Sequence, residues 1–173
     1  PTDRGFIDTD RTMKTSVEGI YALGDIADNW MFKHSANHEA ETVFRNIVSE
    51  QEHRVDYPAM PHAVFTDPQI AGVGKTEQQL EEEDREFVSV TYDYSDTGMG
   101  GALKEEDGFV KVLASGDGKI LGCHIIGSDA SQLIHEVLVA MKSGTGNVTD
   151  IRDTIHIHPA LNEVVQRAFS RIR

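Results

Sequence analysis

The first fifty residues combine one short apolar run with one long amphipathic segment. Residues 20–23 are apolar without alternation and are followed by Gly24 and Asp25, which is typical of a strand buried in a parallel sheet. Over residues 31–48, apolar side chains recur at the spacing of one helix face. These side chains are Ala36, Ala40, Val43, Phe44 and Ile47. The pattern predicts a strand, a loop and a helix from an α/β domain.

A domain boundary is predicted between residues 49 and 61. This stretch is polar and contains Pro58 and Pro61, which interrupt regular structure. We therefore divide the chain into residues 1–50, as a part of an α/β domain, and residues 55–173, as a second domain.

The second domain begins with strand patterns and ends with helix patterns. The strand candidates are residues 63–65, 70–73, 87–92, 109–114 and 119–126. Residues 116–118, Gly-Asp-Gly, separate the last two and predict a hairpin turn. Apolar residues at helical spacing follow, over residues 133–141 and 161–172. This order indicates an α+β fold, with an antiparallel sheet and helices on one side.

Composition and charge narrow the classes of partner. The chain has 173 residues, with 16 Lys and Arg against 29 Asp and Glu, which gives a formal net charge of −13. An acidic chain does not suit nucleic acid or an anionic membrane surface, and no apolar run approaches the ~18 residues of a membrane span. We expect neither partner. Besides a merely solvated acidic face, we consider adaptation to molar salt, where self-repulsion is screened.

The chain contains a single cysteine, Cys123, which excludes an intramolecular disulfide and a Cys/His zinc ribbon. Its apolar neighbours predict an inert core thiol. The sequence starts at Pro1 without a signal-peptide apolar region, so we expect a cytoplasmic protein and a piece of a longer polypeptide.

Three segments resemble ligand motifs but lack an essential part. Residues 72–76 end in Gly-Lys-Thr as a phosphate loop does, but glutamine stands at position 69, where the motif requires glycine. Residues 98–101 lack the dinucleotide spacing and precede no predicted helix, so we expect a flexible connection there. His34 and His38 have the spacing of two metal ligands on one helix face, but no third ligand accompanies them. We expect no metal site.

A glycine and an acidic residue mark the first candidate for chemistry. Gly24 and Asp25 lie at the carboxyl end of a predicted strand, where open α/β sheets bind ligands. Gly24 would allow a ligand to approach the backbone, and Asp25 would accept a hydrogen bond from a polyol hydroxyl. Alternatively, Asp25 could have a structural role, in a turn or as a helix cap, which would also account for a Gly-Asp pair at this position.

The segment 155–163 has the most specific pattern in the chain. Pro159 suits the first position of a helix, which would leave His158 just outside the helix and Glu163 one turn into it. A carboxylate at that distance would reach the imidazole and select which nitrogen carries the proton. The pattern is that of a general acid–base, although a capping role for His158 also fits.

Four segments in order resemble the C-terminal part of the FAD-dependent pyridine nucleotide–disulfide oxidoreductases. Residues 15–25 are similar to the second FAD-binding motif of that family, and residues 63–74 to the first strands of its dimerisation domain. Residues 119–127 and 158–163 match later segments. Within the family, residues 32–40 and 157–161 are nearest to mycothione reductase, whereas His156-x-His158-Pro159 is similar to dihydrolipoamide dehydrogenase.

The resemblance implies cofactors, partners and roles for particular residues. FAD and NAD(P)H would serve the full-length parent, with Gly24 and Asp25 at the FAD ribityl chain. The backbone N–H groups of Phe32, Lys33 and His34 would face the flavin, because a helix N-terminus favours negative charge.

The resemblance also implies that His158, oriented by Glu163, would be the acid–base in a homodimer formed through the C-terminal domain. The substrate would be a small-molecule disulfide or a dihydrolipoamide-type thiol. The redox Cys pair of the family is absent from these 173 residues, so the fragment alone should be inactive. The alternative is a dimerisation or binding domain without the chemistry.

Overall fold

The protein is described from a computed structural model, which covers residues 4–27, 29–49 and 51–172. The chain divides into two compact units, Pro1–Tyr57 and Pro58–Arg173. No helix in the described ranges is long and apolar enough to cross a membrane.

The first unit is built around helix α1, Lys33–Val48, which follows a short 3-10 turn at Gly24–Ala27. Its small core consists of Met13, Ala27, Val43 and Val55. The predicted strand over residues 20–23 is wrong. Tyr21 forms only an isolated antiparallel bridge with Lys14, and Ile20 is exposed. No neighbouring strand in the described residues gives this apolar run a sheet to join.

The face of α1 that is buried differs from the predicted apolar face. Within the first unit, α1 buries Ser35, Glu39, Thr42 and Val43. Of the predicted set, only Val43 is buried, and Phe44 and Ile47 are 63% and 65% exposed. The prediction was wrong because the helix turns a carboxylate inward, where that carboxylate accepts two hydrogen bonds.

The second unit contains a five-stranded antiparallel sheet among its described residues, in the spatial order β1-β2-β5-β4-β3. The strands are β1 Pro61–Val64, β2 Gln69–Gly74, β3 Val88–Asp93, β4 Phe109–Ala114 and β5 Ile120–Gly127. The predicted strands are confirmed. The predicted hairpin turn is confirmed as well. The Ser115 N–H donates to the Lys119 carbonyl, the Gly118 N–H donates to the Ser115 carbonyl, and Gly118 adopts a positive φ.

Two helices cover one face of this sheet, as the fold class predicts. Helix α4, Ala130–Lys142, packs on β1, β2 and β5, and helix α6, Asn162–Ser170, packs on β3 and β4. The core between them is apolar and includes Val112, Cys123, Ile125, Val137 and Phe169. On the other face, Leu80 of the short helix α2, Glu77–Glu82, packs against Leu113 and Leu121.

Three short helices were not predicted: α2, α3 (Gly98–Leu103) and α5 (Thr149–Arg152). The flexible connection expected at residues 98–101 is therefore wrong. The Thr97 hydroxyl caps α3 by accepting the Gly100 N–H at 3.1 Å. A Cβ on Gly100 would lie 1.9 Å from the Tyr94 carbonyl oxygen, so this glycine permits a close approach between two backbone segments.

Candidate active site

His158 and Glu163 lie together at the start of α6. The helix begins at Asn162, so the prediction that Pro159 opens it is wrong. Pro159 instead belongs to a turn before the helix, and the His158–Pro159 peptide is cis. In this turn His158 Nδ1 lies 3.0 Å from both Glu163 carboxylate oxygens. The structure thus brings the two predicted residues into contact.

The two members of the pair differ in exposure. The His158 side chain is 72% exposed, whereas that of Glu163 is 10% exposed. The Ala160 N–H also donates to Glu163 Oε2 at 3.3 Å. The hydrogen bond from His158 lowers the pKa of Glu163, burial opposes this, and the Ala160 N–H adds to the lowering. The carboxylate therefore stays ionised and holds Nδ1 protonated, which leaves Nε2 as the nitrogen that can exchange a proton.

The surroundings of His158 leave room for a ligand. A Cβ on Gly98 would stand 3.4 Å from His158 Cε1, so the first residue of α3 lies beside the ring. An open cavity of about 470 Å³ is lined by neighbours of both segments, including Met99, Leu161 and Asn162. The exposed His158 ring thus lies beside segments whose residues line a concave surface, and the ring itself is not part of that lining.

A second carboxylate–imidazole pair lies deeper in this unit. Glu136 of α4 accepts a hydrogen bond from His156 Nε2 at 3.0 Å, and Thr154 O lies 2.9 Å from His156 Nδ1. Among the described residues, no group donates a hydrogen bond to Glu136 Oε1. Burial raises the pKa of Glu136, although His156 and the Asn162 amide oppose the rise. Sequence reasoning noted His156 only as part of a family pattern and missed Glu136, whose position on the apolar stripe of α4 was the available signal.

Cys123 lies within the core, as predicted. Its side chain is fully buried, and burial, followed by the charge of Glu136, raises the pKa of the thiol far above its usual value. A thiol in this state does not serve as a nucleophile.

In the first unit, Glu39 organises the segment that carries Gly24 and Asp25. The buried Glu39 carboxylate accepts the Gly24 N–H and the Tyr57 hydroxyl, each at 2.6 Å. Burial and this hydrogen bond raise the pKa of Tyr57, so the phenol stays protonated. The turn places the side chain of Asp25 at the surface. Sequence analysis missed Glu39, although an acid on the face of α1 shared with Val43 is a detectable signal.

The N-terminus of α1 carries the other three candidate residues. Phe32 is the N-cap of α1. Its side chain makes no hydrogen bond to the helix, so Phe32 does not cap the first N–H groups of α1. Phe32 stacks on His34 with ring centroids 5.1 Å apart, and Lys33 bonds to Asn37. A Cβ on Gly24 would contact Ala36 Cβ at 3.5 Å, so the Gly24 turn lies against this helix start.

The histidines of α1 have different neighbours. His38 lies edge-on to Tyr57 at 6.1 Å, whereas His34 stacks on Phe32. Across residues 4–27, 29–49 and 51–172, no group of three or more His, Cys, Asp or Glu side chains is arranged to hold a metal ion.

Comparison with known proteins identifies the family. The model of the pyridine nucleotide-disulphide oxidoreductase dimerisation domain matches residues 60–169. The model of the pyridine nucleotide-disulphide oxidoreductases matches residues 1–40. The chain belongs to the pyridine nucleotide-disulphide oxidoreductases. Members of this family use FAD and NAD(P)H.

The chain is similar in sequence to two kinds of enzyme within this family. This chain is 39% identical to mycothione reductase of Mycobacterium tuberculosis, over 98% of this chain and 38% of the relative. It is 37% identical to dihydrolipoyl dehydrogenase of Bacillus subtilis, over 96% of this chain and 35% of the relative. The chain thus spans less than two fifths of the length of these relatives.

A solved structure shares the fold of the chain. The HOCl-induced flavoprotein disulfide reductase RclA from Escherichia coli matches with a TM-score of 0.91 and 24% identity, over 99% of this chain and 40% of that one. At 24% identity, this match shows that the two chains share a fold and nothing more.

Proposed function

We propose that this chain is the C-terminal, dimerisation portion of a flavoprotein disulfide reductase, in which His158 and Glu163 act as a general acid–base pair. One observation carries the proposal: an exposed imidazole whose Nδ1 is held by a nearly buried carboxylate at 3.0 Å. A cap residue needs no such partner, whereas a proton-transferring histidine needs a fixed tautomer and an accessible second nitrogen.

The pair would handle the protons of a thiol–disulfide exchange. When a thiolate attacks a substrate disulfide, a mixed disulfide forms as the substrate S–S bond breaks, and the released thiolate takes a proton from His158 Nε2. When the next thiol must attack, the same nitrogen accepts its proton. Glu163 stabilises the imidazolium in both directions, because the pair is then a charge-assisted hydrogen bond.

The first unit would supply part of an FAD site, and its residues fit that group. Asp25 presents an exposed carboxylate for a polyol hydroxyl, and it follows the buried Gly24, whose N–H is held by Glu39. The N–H groups of Phe32, Lys33 and His34, at the start of a 16-residue helix, would face the electron-rich edge of the flavin. FAD supplies the transfer of reducing equivalents from NAD(P)H to the disulfide.

The wider proposal concerns assembly and substrate. Residues 1–50 would complete the FAD-binding domain of a longer, cytoplasmic parent, and residues 55–173 would form a homodimer. His158 would then serve a redox Cys pair across the two-fold interface. The relatives' names suggest a low-molecular-weight disulfide or a dihydrolipoamide-type thiol as substrate.

A non-catalytic dimerisation module is the second candidate. The single, buried Cys123 favours it, because these 173 residues contain no Cys pair that could pass electrons to a substrate. Under this proposal the chain would dimerise, and His158 would have no effect on any thiol chemistry.

The deciding experiment separates the two half-reactions of the full-length parent. His158→Gln should slow disulfide reduction by about 10²–10⁴-fold and leave flavin reduction by NAD(P)H unchanged. His135→Gln is the matched control, since His135 is an exposed histidine on α4. Equal slowing of both half-reactions, or no slowing of either, would remove His158 from the role proposed here.

A further inference from the structure

A row of directly opposed residues crosses the face of the sheet that α4 and α6 leave uncovered. His62 of β1 is opposite Gly72 of β2, and Gly72 is opposite His124 of β5. Residues opposed in this way point to the same face of an antiparallel sheet. The two histidines are thus separated by one strand that has no side chain at that position.

Both imidazole rings lean over the glycine. Nε2 of His62 lies 2.8 Å, and Nδ1 of His124 2.6 Å, from the point where a Cβ of residue 72 would stand. The ring centroids are 6.3 Å apart. His62 Cε1 is as near, at 2.7 Å, so any side chain at position 72 would clash with both rings, and the glycine creates the space that they share.

We propose that His62 and His124 bind one borderline transition-metal ion, such as Zn²⁺ or Ni²⁺, above Gly72. His62 would coordinate through Nε2 and His124 through Nδ1, and water would complete the coordination. This site lies outside the His158–Glu163 pair, and the proposal does not depend on the function proposed above.

The hydrogen bond of His124 supports the assignment. Its Nε2 lies 3.0 Å from the Lys75 carbonyl oxygen, which can only accept, so Nε2 carries the proton and Nδ1 presents a lone pair. Metal-binding histidines almost always donate their second ring N–H in this way, and the bond fixes both the tautomer and the ring orientation.

The spacing of the rings is close to that of a two-histidine site. With metal–nitrogen bonds of about 2.1 Å, tetrahedral coordination places two imidazole centroids about 5 Å apart, and wider angles place them further apart. The observed 6.3 Å requires a small rotation of one ring. Both histidines are only partly buried, so the rings can move and an ion can reach them.

The local charge does not oppose a cation. Lys111, which follows His124 in the same row of the sheet, is bound to the carboxylate of Glu77. Imidazole nitrogens favour Zn²⁺, Ni²⁺ and Cu²⁺, whereas Mg²⁺ and Ca²⁺ prefer oxygen ligands, so the site should discriminate between these two groups of ions.

The test is calorimetric titration of the chain with Zn²⁺. We expect one site whose affinity falls at least about tenfold in His62→Gln and in His124→Gln. The matched control His135→Gln should bind as the unmodified chain does, and a His34→Gln/His38→Gln variant measures the contribution of the α1 histidines. Unchanged affinity in both His62→Gln and His124→Gln, or equal competition by Mg²⁺, would overturn the proposal.

Two additional measurements distinguish a lost metal site from a variant that fails to fold. Gly72→Ala should abolish binding, and circular dichroism will show whether the variants stay folded. In the unmodified chain, substoichiometric Cu²⁺ should broaden the NMR signals of the His62 and His124 rings before those of His135. Broadening that spares both rings would overturn the proposal without any variant.

Discussion

Two carboxylates of the second unit contact histidines, yet their pKa values move in opposite directions. Glu163 is ionised more easily than usual, because the hydrogen bond from His158 outweighs the effect of burial. Glu136 is ionised less easily, because burial outweighs the hydrogen bond from His156 and one oxygen accepts no hydrogen bond from the described residues. The balance between desolvation and hydrogen bonding decides the sign in each case.

Removal of the imidazole should shift the titration of Glu163. In His158→Ala, the largest cause of the lowered pKa is lost while burial remains, so the pKa of Glu163 should rise. A lowered folded-state pKa stabilises the fold above the ordinary value of 4.5, and this stabilisation disappears as the pH falls through the folded-state pKa. In the variant, this contribution of Glu163 to the pH dependence of stability should be lost. Carboxyl ¹³C NMR titration measures the shift, and a Glu163 titration identical in both proteins would contradict the expectation.

Glu136 should make the fold less stable as the pH rises. Because its folded-state pKa is raised, its contribution is fully present below the ordinary value of 4.5 and is lost as the pH rises through the folded-state pKa. Glu136→Gln should therefore flatten the stability curve between pH 4.5 and neutrality, as measured by urea unfolding. His156→Ala should cost about 1–3 kcal/mol at neutral pH, since it leaves the carboxylate oxygen unpaired.

The matched control for Glu136 is Glu106→Gln, which removes the same charge from an exposed position. It should leave the shape of the stability curve unchanged. If Glu106→Gln flattened the curve as much as Glu136→Gln, the pH dependence would come from net charge and not from the buried group.

At the scale of elements, a buried carboxylate fixes α1 against the segment that carries Gly24 and Asp25. Glu39 is fully buried and bonds to the Gly24 N–H and to the Tyr57 hydroxyl. Three distant parts of the first unit thus meet at one side chain. The conformation of the candidate FAD-contacting turn depends on it.

Glu39→Ala should loosen that turn. The change leaves the buried Gly24 N–H without its acceptor, at a cost of about 1–3 kcal/mol, and removes the partner of the partly buried Tyr57 hydroxyl. Hydrogen exchange at the Gly24 amide should become faster, and the thermal midpoint should fall. Glu41→Ala, on the exposed side of the same helix, is the control and should change neither. Unaltered Gly24 exchange in Glu39→Ala would show that other contacts hold the turn.

Elements whose own residue pattern determines their structure could be predicted from the sequence. The strand β4, Phe109–Ala114, was predicted with its observed bounds, because alternation and a Gly-rich turn are local signals. The strand expected at residues 20–23 was not found, because a strand also needs a neighbour. The α3 helix was missed because its start depends on a Thr97 cap and on Gly100 fitting against Tyr94, a contact that spacing does not reveal.

In the candidate site, too, contacts between residues close in sequence could be predicted, whereas contacts between distant residues could not. His158 and Glu163 are close in sequence, so their contact could be predicted, whereas the helix start could not, because Pro159 occurs in a turn as readily as in a first helical turn. The Glu136–His156 contact joins residues 20 positions apart and required the fold.

At the scale of the whole molecule, acidic charge is in large excess. The net charge of −13 is spread over 173 residues, and residues 81–84 are four consecutive acids. Such an excess repels itself in the compact state more than in the unfolded chain, where the charges are further apart. Screening by salt should therefore stabilise the fold.

Adaptation to molar salt predicts a thermal midpoint that rises from dilute buffer to molar KCl. At that ionic strength the screening length falls to about 3 Å, so repulsion between surface carboxylates is largely removed. We expect a rise of at least about 3 °C, which corresponds to ~1 kcal/mol in a chain of this size. A Glu81→Gln/Glu82→Gln variant carries less charge and should gain less from KCl. A midpoint that stays constant, or a gain that is equal in both proteins, would instead assign the acids to an ordinary solvated surface.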